Sequence, residues 1–150
     1  MTVSTAAPRL GPVTVDRDDF CATMTQLPSG ASVVTTTGPD GPIGCTVTSL
    51  VSLSADPPAV LVSLASTSRT LVQAVAAGGF AVNVLSWQQR DLCRRFAQGD
   101  PSARFDGVPY TLTDGLPVLD DHAAVLVCRL DRTVEVADHT LLVGLPTVAA

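Results

Sequence analysis

The run PSGASVVTTTGPDGPIGCTVTSLVSLSADPPAVLVSL, residues 28–64, is a series of short β-branched stretches, each cut off by Gly or Pro before a helix could grow. Branched side chains suit a pleated backbone, and Gly, Pro and Asp clusters reverse the chain. ASVVTTT (residues 31–37) predicts a strand and GPDGP a turn. The turn leads into a hairpin partner that starts at Gly44 and runs to Ser54. Pro57 and Pro58 cannot continue a central ladder, so ADPP ends that partner, and AVLVSL (residues 59–64) predicts a short buried strand.

Read with a period of two, the stretch from Gly44 puts Thr46, Thr48, Leu50, Ser52 and Ser54 on one face. Cys45, Val47, Ser49, Val51 and Leu53 fall on the other. The first face is mostly hydroxyl and carries no charge, whereas solvent faces of strands usually include Lys, Glu or Arg. It suits a flat, uncharged heterocycle held by short hydroxyls and backbone N–H groups. A second subunit or water packed on that face is the alternative.

Elsewhere, residues 1–15 read as a flexible tail and residues 16–150 as one domain. Asp16, Asp18 and Asp19 precede Phe20, Met24 and Leu27 at helical spacing, which predicts a helix over residues 16–27. A second helix follows ASTSRT and stops at Gly78-Gly79 before the strand FAVNVL. Ser86 and Gln89 form a capping-box pattern for a third helix, where Leu92 and Phe96 are an i, i+4 apolar pair. Strands around Tyr110, over residues 125–136 and over 139–143 complete six or seven strands against two or three helices. The fold class is mainly β, a barrel with peripheral helices.

Composition removes several functions. Net charge is −5 and all nine basic residues are Arg, so no broad cationic surface exists for nucleic acid. No apolar run approaches the roughly 20 residues of a membrane helix, and no secretory leader pattern is present. The four cysteines lie far apart without a CxxC pair, which disfavours a zinc or redox site and predicts buried free thiols in the cytoplasm. No metal site is expected. GPDGPIG is a turn rather than a dinucleotide-binding GxGxxG, and there is no GxSxG elbow.

Three local signals remain. Ser66, Thr67, Ser68, Arg69 and Thr70 collect hydroxyls, a guanidinium and free N–H groups where a helix starts, which suits a phosphate; ordinary N-capping is the alternative. The hydroxyl face is the second signal. His139 opens a strand beside Asp138, which could orient its ring, although a lone His is often structural. Arg94 and Arg95 add possible anion contacts.

Together PSGASVVTT, GCTVTSLVSLSADPPAVLVSL, TSRTL, FAVNVL, RRFA, GLPVL and DHTLLVG resemble, in order and spacing, the short-chain flavin reductases of two-component flavin monooxygenases. The resemblance spans residues 20–144. It implies an FMN-binding split β-barrel of Greek-key type, and an NAD(P)H:flavin oxidoreductase that supplies reduced FMN or FAD to a partner monooxygenase. It also implies a cytoplasmic homodimer using NADH or NADPH as hydride donor. By the same resemblance Thr46, Val47, Thr48, Ser49 and Leu50 line the flavin, with Ser52 and Leu53 continuing that wall. Thr67, Ser68 and Arg69 hold its phosphate, and Arg95 and Phe96 close the phosphate or adenosine side. Ser29 and Gly30 lie near the nicotinamide nucleotide, and His139 stands beside the nicotinamide as the catalytic residue. Family members usually continue past GEV with another strand and a basic, aromatic tail, where this chain reads GLPTVAA. That departure makes a flavin-binding or electron-carrying module without turnover the alternative reading.

Overall fold

The computed structural model describes Gly11 and residues 15–150. Most of the expected N-terminal tail lies outside the described residues. The chain separates into two compact units, Met1–Gly30 and Ala31–Ala150. The first carries helix α1 (Arg17–Met24), capped by the Asp16 carboxylate, which accepts the Asp19 N–H at 2.9 Å.

The second unit is built on a seven-stranded antiparallel sheet. Its strands are β1 (Ser32–Gly38), β2 (Gly41–Val47), β3 (Val51–Ala55), β4 (Pro58–Ala65), β5 (Gly79–Val84), β8 (Ala124–Val136) and β9 (His139–Ala149). Their order is β2-β1-β5-β8-β9-β4-β3. A separate hairpin, β6 (Tyr110–Thr113) with β7 (Leu116–Leu119), turns through Asp114 and Gly115, both at positive φ as a tight two-residue turn requires. Helices α2 (Arg69–Ala77) and α3 (Arg90–Gln98) complete the unit, α3 preceded by a 3₁₀ turn at Trp87–Gln89. The nine strands among the described residues exceed the expected six or seven, because the stretch from Gly44 to Ser54 divides into two and the DGLP turn runs straight into the unexpected strand β7.

The stretch from Gly44 to Ser54 is two strands, not one, which corrects the single alternating strand. β2 stops at Val47, residues 48–50 belong to no ladder, and β3 restarts at Val51 on the opposite edge of the sheet. A three-residue link between the two edges forces the sheet to curl on itself. Ser49 fastens the curl: its hydroxyl donates to the Ser63 carbonyl at 2.9 Å and accepts the Ser63 N–H at 3.0 Å on β4. The register of β3 also shifts between Ser52 and Ser54, so a strict period of two fails twice in eleven residues.

Inside the curl, Val34, Val62, Phe80, Val82 and Leu142 pack with Leu71 and Ala74 of α2. A second cluster seats the β6–β7 hairpin on Ala81, Val125 and Val127, and a third packs Phe96 and Leu92 of α3 against Val33, Val108 and Leu119. β1 is therefore buried on both sides, Val34 in the first cluster and Val33 in the third. That is why it reads as an unbroken β-branched run. Its buried Thr35 and Thr36 hydroxyls donate to the carbonyls of Pro117 and Gly79, so burial leaves neither hydroxyl unpaired. β9 runs to Ala149 and pairs with β8 back to Leu126, so GLPTVAA is ladder.

Candidate active site

A cleft of about 350 Å³ opens where β2 leaves the sheet, lined by Cys45, Thr46, Val47, Thr48, Ser49, Ser63, Ala65, Ser68 and His139. It adjoins a hollow of about 300 Å³ that shares Cys45, Thr46 and Ser68 and adds Arg69, Thr70, Phe96 and Arg104. Six of the sequence-expected residues, Thr46 to Ser49, Ser68 and His139, thus meet around one opening. Arg69 and Phe96 meet in the next.

Local chemistry sets each of these positions. The Thr46 hydroxyl donates to the Cys93 carbonyl at 2.6 Å, tying the end of β2 to α3. Ser68 is the N-cap of α2, its hydroxyl accepting the Leu71 N–H at 3.4 Å. The N-terminus of α2 carries Arg69 and no acidic residue in its first turn, so the positive end of the helix and a guanidinium act together. Arg69 is exposed and makes no hydrogen bond or ion pair among the described residues. Thr67 is exposed on the loop before it.

At the other end, Ser66 binds the phosphate-type loop to the β8–β9 hairpin. Its N–H donates to the Asp138 carbonyl at 2.9 Å and its hydroxyl lies 2.9 Å from that of Thr140. The Ala65–His139 pairing of β4 and β9 sits beside that link. His139 Nδ1 lies 2.8 Å from Asp138 Oδ1. An ionised carboxylate only accepts, so Nδ1 carries the proton and Nε2 is left for another partner. Asp138 does orient the ring, as the sequence suggested.

Other expected residues fall elsewhere. Arg95 is spent on the loop after α3, donating to the carbonyls of Ala103, at 2.8 Å, and Asp106. Ser52 lies on β3, at a separate hollow with Leu50, Pro58 and Leu126, and Leu53 is exposed beside it. The break at residues 48–50 separates both from the cleft within this chain. Ser29 and Gly30 end the N-terminal unit and are exposed. The expectation of four buried thiols also needs correction: all four are free, but only Cys128 is buried, Cys21 is exposed, and Cys45 and Cys93 are half-buried.

Arg104 is the residue that sequence reasoning missed. Its Nη1 donates to the Gly44 carbonyl at 2.8 Å and its Nε to the Gly99 carbonyl at 3.2 Å, which holds the guanidinium over the hollow opposite Arg69. Gly44 has to be glycine for this packing, because a Cβ there would stand 2.8 Å from the Val34 carbonyl oxygen and 3.3 Å from Phe96. Nothing in the local spacing of PSARFDG signals a contact made across sixty residues. The Cys45 thiol, inside the cleft, is pushed above its ordinary 9.0 by burial, partly opposed by the Thr70 hydroxyl, Arg104 and Ser68.

An uncharged trough with a basic, helix-capped end and a histidine at the other fits a flavin mononucleotide unit. Thr48 and Ser49 bring backbone N–H groups free of any ladder, Ser68 and Arg69 offer donors suited to a phosphate, and among the described residues no carboxylate lines the first two hollows, whereas the expected Leu50 lines the separate hollow with Ser52. This arrangement on a curled antiparallel sheet is that of a flavin-binding split barrel. Residues 24–147 match the family described as flavin reductase like domain, and the chain belongs to that family.

The chain is 39% identical over 139 residues to a flavin reductase (NADH) of Kitasatospora aureofaciens, covering 90% of this chain and 72% of that protein. Among solved structures, an NADH:FAD oxidoreductase of Streptomyces globisporus, in complex with NAD and FAD fragments, superposes with a TM-score of 0.81. It is 31% identical and the match covers 93% of this chain and 86% of that one. A nitrilotriacetate monooxygenase component B homologue from Mycobacterium thermoresistibile gives a TM-score of 0.84 at 28% identity, covering 89% and 75%. Among the curated relatives it matches, the chain spans from 40% to 77% of their own length.

Proposed function

We propose that this chain is an NAD(P)H:flavin oxidoreductase whose cleft between β2 and His139 holds the flavin ring and whose α2 N-terminus holds the phosphate. The observation that carries the reading is the junction of the two hollows at Cys45, Thr46 and Ser68, which joins a neutral slot to a cationic one. The flavin, when bound, supplies the acceptor for a hydride from the nicotinamide ring.

The protein's part is positioning. Thr48 and Ser49 line the slot and offer uncharged donors. Arg69 and Arg104 would neutralise the phosphate, with the Ser68 hydroxyl as an uncharged donor to it. Phe96, fully buried, packs edge-on against Phe105 at 5.0 Å and keeps the loop bearing Arg104 in place. His139, with its proton held at Nδ1 by Asp138, offers Nε2 as an acceptor to the carboxamide of the nicotinamide. The open cleft suits a flavin that is released after reduction.

Reduced flavin then passes to a separate monooxygenase, as the likeness to a monooxygenase component supports. A homodimer is supported by Val51 and Leu53, half-exposed on the edge strand β3. Among the described residues no helix is long and apolar enough to cross a membrane. The test is anaerobic: excess FMN or FAD with NADH or NADPH and a small amount of protein. Catalytic bleaching of the flavin is expected, and no turnover with any pairing overturns the reading.

A further inference from the structure

Trp87 is the chain's single tryptophan and, at 78% exposure, the most exposed large apolar side chain among the described residues. The turn that carries it is pinned. The Ser86 N–H donates to Gln89 Oε1 at 3.1 Å, and the Gln89 amide donates in turn to the Asp120 carbonyl. Arg90 lies over the indole, its Cζ 5.3 Å from the ring centroid, with Nη1 donating to the Trp87 carbonyl at 3.2 Å. Ring and cation are thus held at the surface in one arrangement before anything binds. Arg94 stands one turn beyond Arg90 on α3, on the same side of the helix. Both arginines are exposed, and neither is ion-paired to a carboxylate among the described residues, Asp91 included.

We propose that Trp87, Arg90 and Arg94 are the docking surface for a separate protein that offers an apolar socket rimmed by Asp and Glu: the monooxygenase that receives the reduced flavin. The proposal rests on the flavin-reductase reading above. Trp87 lines none of the three hollows described above, so a small ligand has no cavity here and the occupant is a larger surface. Aromatic and arginine side chains are the usual anchors of such contacts. Charge selects the partner. The chain carries −5 overall, so an acidic protein is repelled elsewhere and held where two guanidiniums stand unpaired. Nucleic acid needs a broad cationic surface that this composition does not supply. A second copy meeting this face about a two-fold axis would set guanidinium against guanidinium. The inner side of α3 belongs to the flavin site: the Cys93 carbonyl accepts the Thr46 hydroxyl at 2.6 Å, and Phe96 lines the phosphate hollow. A partner on the outer side therefore sits one helix diameter, about 10 Å, from the flavin.

Two measurements test this. Because Trp87 is the only indole, its emission reads this surface alone. Poly-L-glutamate at low salt is expected to shift that emission to the blue, and poly-L-lysine to leave it unchanged. Arg90→Glu is expected to weaken the poly-L-glutamate response by about tenfold or more. Equal responses to the two polymers, or an Arg90→Glu variant like wild type, overturn the proposal. In native host cells, the chain carrying Trp87→p-benzoylphenylalanine is photo-crosslinked and the adduct sequenced by mass spectrometry. Linkage to an Asp- or Glu-rich segment of a flavin-dependent monooxygenase is expected. Linkage to a second copy of this chain, to nucleic acid, to a protein of another class or to nothing overturns the proposal. Trp87→Ala is expected to bleach free FMN or FAD with NADH at the wild-type rate, since the surface touches no flavin. Bleaching without either docking result refutes this surface alone. Docking without bleaching by the wild-type chain refutes the flavin-reductase reading and, with it, the identity of the partner.

Discussion

Ser49 and Ser63 are joined twice, hydroxyl to carbonyl at 2.9 Å and amide to hydroxyl at 3.0 Å, across the seam where the sheet curls closed. One small side chain thereby satisfies two main-chain groups of β4 and fixes the strand break that forms the floor of the cleft. Replacing it leaves both Ser63 groups unpaired. Ser49→Ala is expected to cost about 1–3 kcal/mol, read as a lowered melting temperature, and to weaken flavin binding as the seam loosens. An unchanged melting temperature would show that the pin does not hold the curl.

Arg104 and Arg95 have different expected phenotypes although both belong to the same corner. Arg104 lines the hollow with Arg69, whereas Arg95 braces the loop that delivers Arg104. Arg104→Ala is expected to weaken flavin binding by about 10- to 100-fold, with a partial recovery in Arg104→Lys. Arg95→Ala is expected to lower thermal stability with a smaller loss of flavin affinity. Equal effects on affinity, measured by fluorescence titration, would put Arg95 back in the site.

In the proposed function His139 acts on the nicotinamide nucleotide rather than on the flavin. Steady-state kinetics of His139→Ala should show NADH turnover impaired more than flavin binding. Equal loss of both, or loss of neither, counts against the assignment.

Cys45 reports on occupancy of the cleft. Because burial raises its ionisation above 9.0, the folded chain keeps the thiol proton over a range where an unfolded chain releases it. The stability linked to the neutral thiol is complete below 9.0 and is lost as pH rises through the raised value. Alkylation needs the thiolate. The rate at Cys45, followed by peptide mass spectrometry, is therefore expected to keep climbing with pH above 9.0 and to fall when flavin is added. Cys128, buried and pushed up to about 12, is expected to stay unlabelled until the chain unfolds. Labelling of Cys45 that ignores flavin would place the ligand outside this cleft.

The elements legible in the sequence were those whose signals are local. Gly78 ends α2 at φ 71°, Asp16 caps α1, and the Gly38–Gly41 turn closes the β1–β2 hairpin because these features depend on neighbours a few residues away. The same holds for Leu92 and Phe96, one turn apart on α3 and in one cluster. The alternation from Gly44 to Ser54 misled, because a period of two looks the same in one long strand and in two strands joined by a short break. Only the pairing partners, β1 on one side and β4 on the other, separate them.

By itself, the sequence determined a mainly β chain with hydroxyl-rich turns, a capped helix bearing Ser68 and Arg69, and a histidine beside an aspartate at a strand start. It also carried the ordered motifs that mark the flavin reductase family. The tertiary structure alone decided that β2 and β3 lie at opposite edges, that Ser49 is a clasp, that Arg95 braces, and that Arg104 lines the hollow beside the cleft. The reason is range: a cap or turn is settled within one turn of chain. A guanidinium donating to the carbonyl of Gly44 from sixty residues away depends on how every intervening strand packs.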